Sequence, residues 1–64
     1  MENGDGEDFY KFFVNKRVVV VMIDGYKKRG LVSSANSRFL NLIYLSGREE
    51  MLSYNAIKSI QLDV

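Results

Sequence analysis

Sixty-four residues with no Cys, His or Pro carry nine Lys and Arg against eight Asp and Glu, which excludes disulfides and the usual zinc or iron–sulfur ligand sets as staples for a small fold. A domain of this length buries only about 60% of the surface its unfolded chain exposes, so association between copies is the remaining source of stability. The 47% hydrophobic content is too high for disorder, and no apolar run approaches the roughly 20 residues needed to cross a bilayer.

Charge is unevenly placed. Residues 1–8 hold Glu2, Asp5, Glu7 and Asp8, whereas residues 9–64 hold all nine cations against four acids, a net +5. That excess is compatible with a polyanionic partner, at a density well below that of a dedicated nucleic-acid tail. No secretory pattern precedes the fold and no membrane segment interrupts it, so the expected location is the cytoplasm.

Residues 1–7 are acidic, Gly-rich and aperiodic, and are expected to be a flexible tail outside a domain spanning 8–64. Asp8 stands where a helix N-cap would, ahead of Phe9, Phe12 and Phe13, whose i, i+3, i+4 spacing predicts one apolar face of a short helix ending near Asn15. Tyr10 and Lys11 fall on that helix, placed either to reach a nucleic acid at the face of an assembly or, more commonly for such positions, to face water. Val18 to Ile23 is a β-branched run that predicts a strand buried on both faces. Asp24-Gly25 then predicts a two-residue type I′ hairpin.

A second strand is expected from Tyr26 through Val32, with Gly30 marking sharp curvature or a close backbone approach, and Ser33 to Ser37 as turn chemistry. Phe39 to Leu45 reads as a third strand closed by Ser46-Gly47, and Glu49 to Ser53 as a fourth. Tyr54-Asn55-Ala56 interrupts the pattern for one turn before a last strand over Ile57 to Leu62. Five strands at hairpin spacing leave no room for crossover helices, so the expected fold is all-β with a short N-terminal helix, a five-stranded bent antiparallel sheet. Its edges invite pairing with neighbours.

These segments resemble a known family. The stretch from Val18 to Val32, followed by Phe39-Leu40-Asn41-Leu42, is similar to the first motif of the Sm-like (Lsm) superfamily, and Met51 to Ile60 to the second; Tyr54-Asn55-Ala56-Ile57 resembles bacterial Hfq more than eukaryotic Sm proteins. The resemblance covers roughly residues 9–62. It implies an Sm-like small barrel, a ring of six or seven identical subunits joined between the fourth strand of one and the fifth of the next, and a rim that binds U-rich single-stranded RNA. A role as an RNA chaperone is implied with it, and no cofactor.

By the same resemblance Phe39 matches an aromatic that stacks on a base, Asn41 an amide that reads the uracil edge, and Asn36 an Asp that orients the loop. The loop is one residue longer than usual, with Asn36 and Asn41 five apart. Where Sm proteins have Arg-Gly and Hfq has Tyr-Lys-His, this chain has Ser53, Tyr54 and Asn55. A cation is therefore missing, Tyr54 and Asn55 are left to stack and hydrogen-bond in its stead, and base preference is expected to be weaker or altered. Lys27, Lys28, Arg29 and Arg38 are candidate phosphate contacts, with Lys16 and Arg17 weaker ones.

Each residue also has a plainer reading. Phe39 is equally suited to packing and to stacking, and Asn41 to bracing backbone and to reading a base. Lys27 to Arg29 suit a solvated strand that resists aggregation. Glu49 and Glu50 are adjacent in a strand and so point to opposite faces, which is wrong for a carboxylate pair. Without His or Cys, and with no Ser or Lys in a recognisable nucleophile setting, enzymatic chemistry lacks candidates. The alternative to an RNA-binding ring is a structural or protein-interaction ring that has lost its RNA site.

Overall fold

A computed structural model describes residues 9–63; the acidic tail, the Asp8 cap and the boundary between residues 7 and 8 lie outside them. The strands are β1 (Arg17–Met22), β2 (Lys27–Ala35), β3 (Phe39–Ile43), β4 (Glu49–Ser53) and β5 (Ile57–Leu62), with a 3₁₀ turn over Tyr54–Ala56. They form one antiparallel sheet in the order β4-β3-β2-β1-β5.

The connection from β4 to β5 dictates the shape. These strands occupy opposite edges, four inter-strand steps apart, or about 19 Å across a flat sheet. Three residues in 3₁₀ conformation advance only about 6 Å. The sheet must therefore curl until its edges approach, and two devices allow this. Ser33 is an extra residue in β2, since Val32 faces Leu42 while Ser34 already faces Asn41. Gly30 lies so close to β3 that a Cβ there would strike the Ile43 carbonyl oxygen. The close approach expected at Gly30 is thus present.

The curl encloses a core of Val18, Val20 and Met22 from β1, Val32 from β2, Leu40 and Leu42 from β3, Leu52 from β4 and Ile57 from β5, closed by Phe13. Val19 is buried as well, outside this cluster and between Arg29 and Gln61 on the neighbouring strands, while Val21 is half-buried. The expectation of a strand covered on both faces holds for the body of β1. It fails at Ile23, which is exposed in the turn.

Several local expectations need correction. The helix occupies residues 9–11 of the described chain and gives way to turns closed by Phe13 N–H to Tyr10 O and Val14 N–H to Lys11 O, 3.0 and 3.1 Å. Asn15, at φ 68°, ends the segment, and its N–H donates to Val32 O at 2.7 Å. Of the three Phe residues only Phe13 is buried; Phe9 and Phe12 are more than half exposed. The first hairpin is not type I′. Gly25 N–H donates to Met22 O and Met22 N–H to Tyr26 O, so three residues form the loop and only Gly25, at φ 96°, takes positive φ. Leu45-Ser46-Gly47 repeats that design between Tyr44 and Arg48, which shortens β3 to Ile43. Ser33, Ser34 and Ala35 belong to β2, not to a turn.

Candidate nucleic-acid interface

Alternation along β3 puts Leu40 and Leu42 in the core and Phe39 and Asn41 on the other face. Phe39 follows a loop that Asn36 organises. The Asn36 side-chain Oδ1 accepts from Arg38 N–H at 2.8 Å and Phe39 N–H at 3.0 Å, and its own N–H donates to Phe39 O. Asn36 is therefore a brace for the loop. Asn41 donates from Nδ2 to Ser34 Oγ at 3.1 Å, while its Oδ1 is buried without a hydrogen-bond partner among the described residues.

Tyr54 closes the same end of the sheet. Its N–H donates to Arg38 O and its hydroxyl to Asn36 O, at 3.1 and 2.5 Å. Its ring lies flat on Tyr10, centroids 3.8 Å apart and planes 5° from parallel. One face of Tyr54 is thus already occupied by protein. Tyr10, read from sequence as facing water, is half-buried in this stack. Asn55 is exposed on the 3₁₀ turn, and the Arg38 side chain is exposed beside the loop. Asn36, Arg38, Phe39 and Tyr54 therefore meet at one place, with Asn41 two residues along β3.

Lys27, Lys28 and Arg29 do not join them. Antiparallel pairing sends the start of β2 to the opposite end, where these three line a shallow cleft with Tyr44, Ser46 and Arg48. Arg48 went unnoticed in the sequence because hairpin geometry alone brings it there. Lys28 Nζ is 3.4 Å from Glu50 Oε1, and the Tyr44 hydroxyl donates to the same oxygen. Glu49 points the other way, 3.3 Å from Ser33 Oγ, as strand alternation requires.

The Tyr44 hydrogen bond, helped by the Lys28 ammonium, holds the Glu50 carboxyl below its ordinary value against the opposing push of burial. Burial, and then the bond to Glu50, push the Tyr44 phenol up. A lowered carboxylate contributes stability above its ordinary value of 4.5, lost as pH falls through the folded value. A raised phenol contributes below 10.0, lost as pH rises through its folded value. Glu50→Gln should lower the melting midpoint by a few degrees at pH 7, because a pair this exposed is worth about 0.2–1 kcal/mol. Melts from pH 7 to pH 3 should show the gap between parent and variant closing below about pH 4.5; a constant gap would remove this role from Glu50.

No protein-family model and no curated protein matches the sequence. Among solved structures the chain is similar to a crystal structure of Hfq, described as a pleiotropic translational regulator, at a TM-score of 0.77 and 17% identity, over 98% of each chain. Agreement in fold at that level of identity concerns the backbone: the chain has the Sm-like fold of Hfq.

Proposed function

We propose that this chain is a non-enzymatic RNA-binding protein whose copies close into a ring of six or seven and bind U-rich single-stranded RNA, acting as an RNA chaperone in the cytoplasm. The domain doing this spans 8–64, with 1–7 as its acidic tail. The observation that carries the reading is the strand order, which leaves β4 and β5 as the two outer strands of one curled sheet, without a strand partner on their outer sides among the described residues. Edge strands left open invite pairing, and a closed circle of copies satisfies every one of them.

In this reading Phe39 stacks on a base and Asn41 reads it, once its amide turns from Ser34. Asn36 fixes the loop, Tyr54 takes part in stacking and Asn55 offers its amide. Lys27, Lys28, Arg29 and Arg38 meet phosphates, Lys28 in competition with Glu50. One weak base site repeated around a ring gains from effective concentration. That Hfq is a translational regulator supports an RNA partner for the same fold.

A second reading, a structural or protein-interaction ring without an RNA site, is favoured by the ties on Tyr54 and by the Asn41 amide turned to Ser34. Titrating labelled oligo-U and oligo-A at low and moderate salt separates the two. The expected result is tighter binding of oligo-U, weakening with salt by a logarithmic slope of about 0.7 per phosphate contact. Absence of binding to either strand at micromolar protein would leave only the second reading.

A further inference from the structure

Five aromatic rings run in unbroken contact from the Asn36 loop to the end of the N-terminal segment. Tyr54, hydrogen-bonded to Asn36 O, stacks on Tyr10 at 3.8 Å. Tyr10 meets Phe9 edge-to-face at 5.0 Å, Phe9 meets Phe13 at 5.6 Å, and Phe13 meets Phe12 at 5.1 Å. Lys16 ends the series, its Nζ 4.7 Å from the centre of the Phe12 ring and 2.8 Å from Phe12 O.

Within this run Phe13 is the anchor at 6% exposure, whereas Phe9 and Phe12 are 53% and 57% exposed. Anchoring two outward phenyl rings through edge-to-face contacts with a buried third limits their rotamers, so little entropy is lost when something flat is laid on them. A cation beside exposed aromatic rings is the combination with which sequence-tolerant sites hold single strands, the rings taking bases and the charge taking phosphate. The rings are also continuous with the Asn36, Phe39 and Tyr54 end of the sheet, so one strand can pass from one to the other.

We infer that Phe9 and Phe12, with Lys16, form an accessory stacking track for unpaired nucleobases, extending the base site and restoring on the N-terminal segment the cation that Tyr54 and Asn55 lack. The inference rests on the RNA-binding reading proposed above. It gives the missing positive charge a place in three dimensions that no comparison of the second motif would reveal.

The test compares the full chain with Phe9→Leu/Phe12→Leu and with Phe9→Tyr/Phe12→Tyr, using a labelled twelve-nucleotide oligo-U as probe. Native mass spectrometry and the melting midpoint are measured beside the titration. Leucine keeps apolar bulk and removes the ring; tyrosine keeps the ring. The Leu pair should bind about tenfold more weakly for each stack lost, with assembly unchanged and the melting midpoint lowered but still well above the temperature of the titration, and the Tyr pair should bind as the parent does. If the parent binds and the Leu pair binds within twofold of it, the track is overturned and the RNA reading stands. A Leu pair that loses its oligomeric state while monomer-level binding persists reassigns the rings to contacts between copies, which also overturns it. A parent that binds no RNA overturns both.

Discussion

Replacing Gly30 with alanine is expected to cost about 2–4 kcal/mol and to lower the melting midpoint by roughly 10 to 25 °C. The new Cβ would lie on the Ile43 carbonyl oxygen, 3.0 Å from the Ile43 carbonyl carbon and 3.1 Å from Leu42 Cγ. The first two are backbone of the adjoining strand, so no rotamer change relieves the clash. Either β2 and β3 separate near the Ser33 bulge or the sheet uncurls, and uncurling opens the core formed by Val18, Val32 and Leu42. A chain of this length holds a total stability of only about 3–10 kcal/mol, so the variant should stand near the limit of folding. Gly25→Ala and Gly47→Ala are the controls. Both positions have open space around them and positive φ, 96° and 92°, so each should cost about 1–2 kcal/mol from backbone strain alone. A Gly30→Ala protein that melts with the parent would mean that the curl does not depend on this approach.

The sequence made the strands readable where side-chain type and period agree. Val18 to Met22 is a β-branched run and forms β1; Phe39 and Asn41 alternate with Leu40 and Leu42, and the two pairs lie on opposite faces. It misled where polar residues serve two structures. Ser33 and Ser34 are turn formers by chemistry, yet in a bulged strand a serine costs nothing when it faces outward, and β2 runs on to Ala35. The Phe9, Phe12, Phe13 spacing suggests one buried helical face because periodicity counts apolar residues without knowing what they will touch; with the helix ended by residue 11, only Phe13 turns inward. Asp24-Gly25 announced a hairpin correctly, but its type depends on which residue takes positive φ, and one Gly suffices for the three-residue loop.

The candidate site was partly legible for a related reason. Phe39, Asn41 and Asn36 fall within six residues and share one loop and strand, so local reasoning reaches them. The stack of Tyr10 on Tyr54 joins residues 44 positions apart, and the approach of Arg48 to Lys27 and Arg29 depends on pairing across β3. No periodic signal encodes either. The strand order has the same character: consecutive hairpins imply β1 to β4 in succession, whereas the return of β5 to β1 follows from the curl.

If copies join through β4 as proposed, Met51→Pro should convert the assembly to monomers while leaving the subunit folded. The hairpin bond from Tyr44 N–H to Arg48 O and the bond from Tyr54 N–H to Arg38 O fix which residues of β4 face β3. In the register of the pair, Leu42 with Glu50 and Leu40 with Leu52 fall in step with those bonded positions. Glu49, Met51 and Ser53 then turn their N–H and C=O groups away from β3, toward the free edge. Proline at position 51 therefore removes an edge donor and places its ring where a neighbouring strand must lie, without breaking a bond within the subunit, which is the setting in which strands tolerate proline. Met51 is 61% exposed, so little packing is lost with its side chain. Met51→Ala, which keeps the N–H, should assemble like the parent. In the proposed ring, RNA is held through repeated weak sites, so the proline variant should also bind oligo-U at least 100-fold more weakly. Native mass spectrometry reads the first effect and titration the second. An assembly of unchanged size in Met51→Pro would show that β4 is not the edge through which copies join, and a parent that is itself monomeric would end the ring proposal.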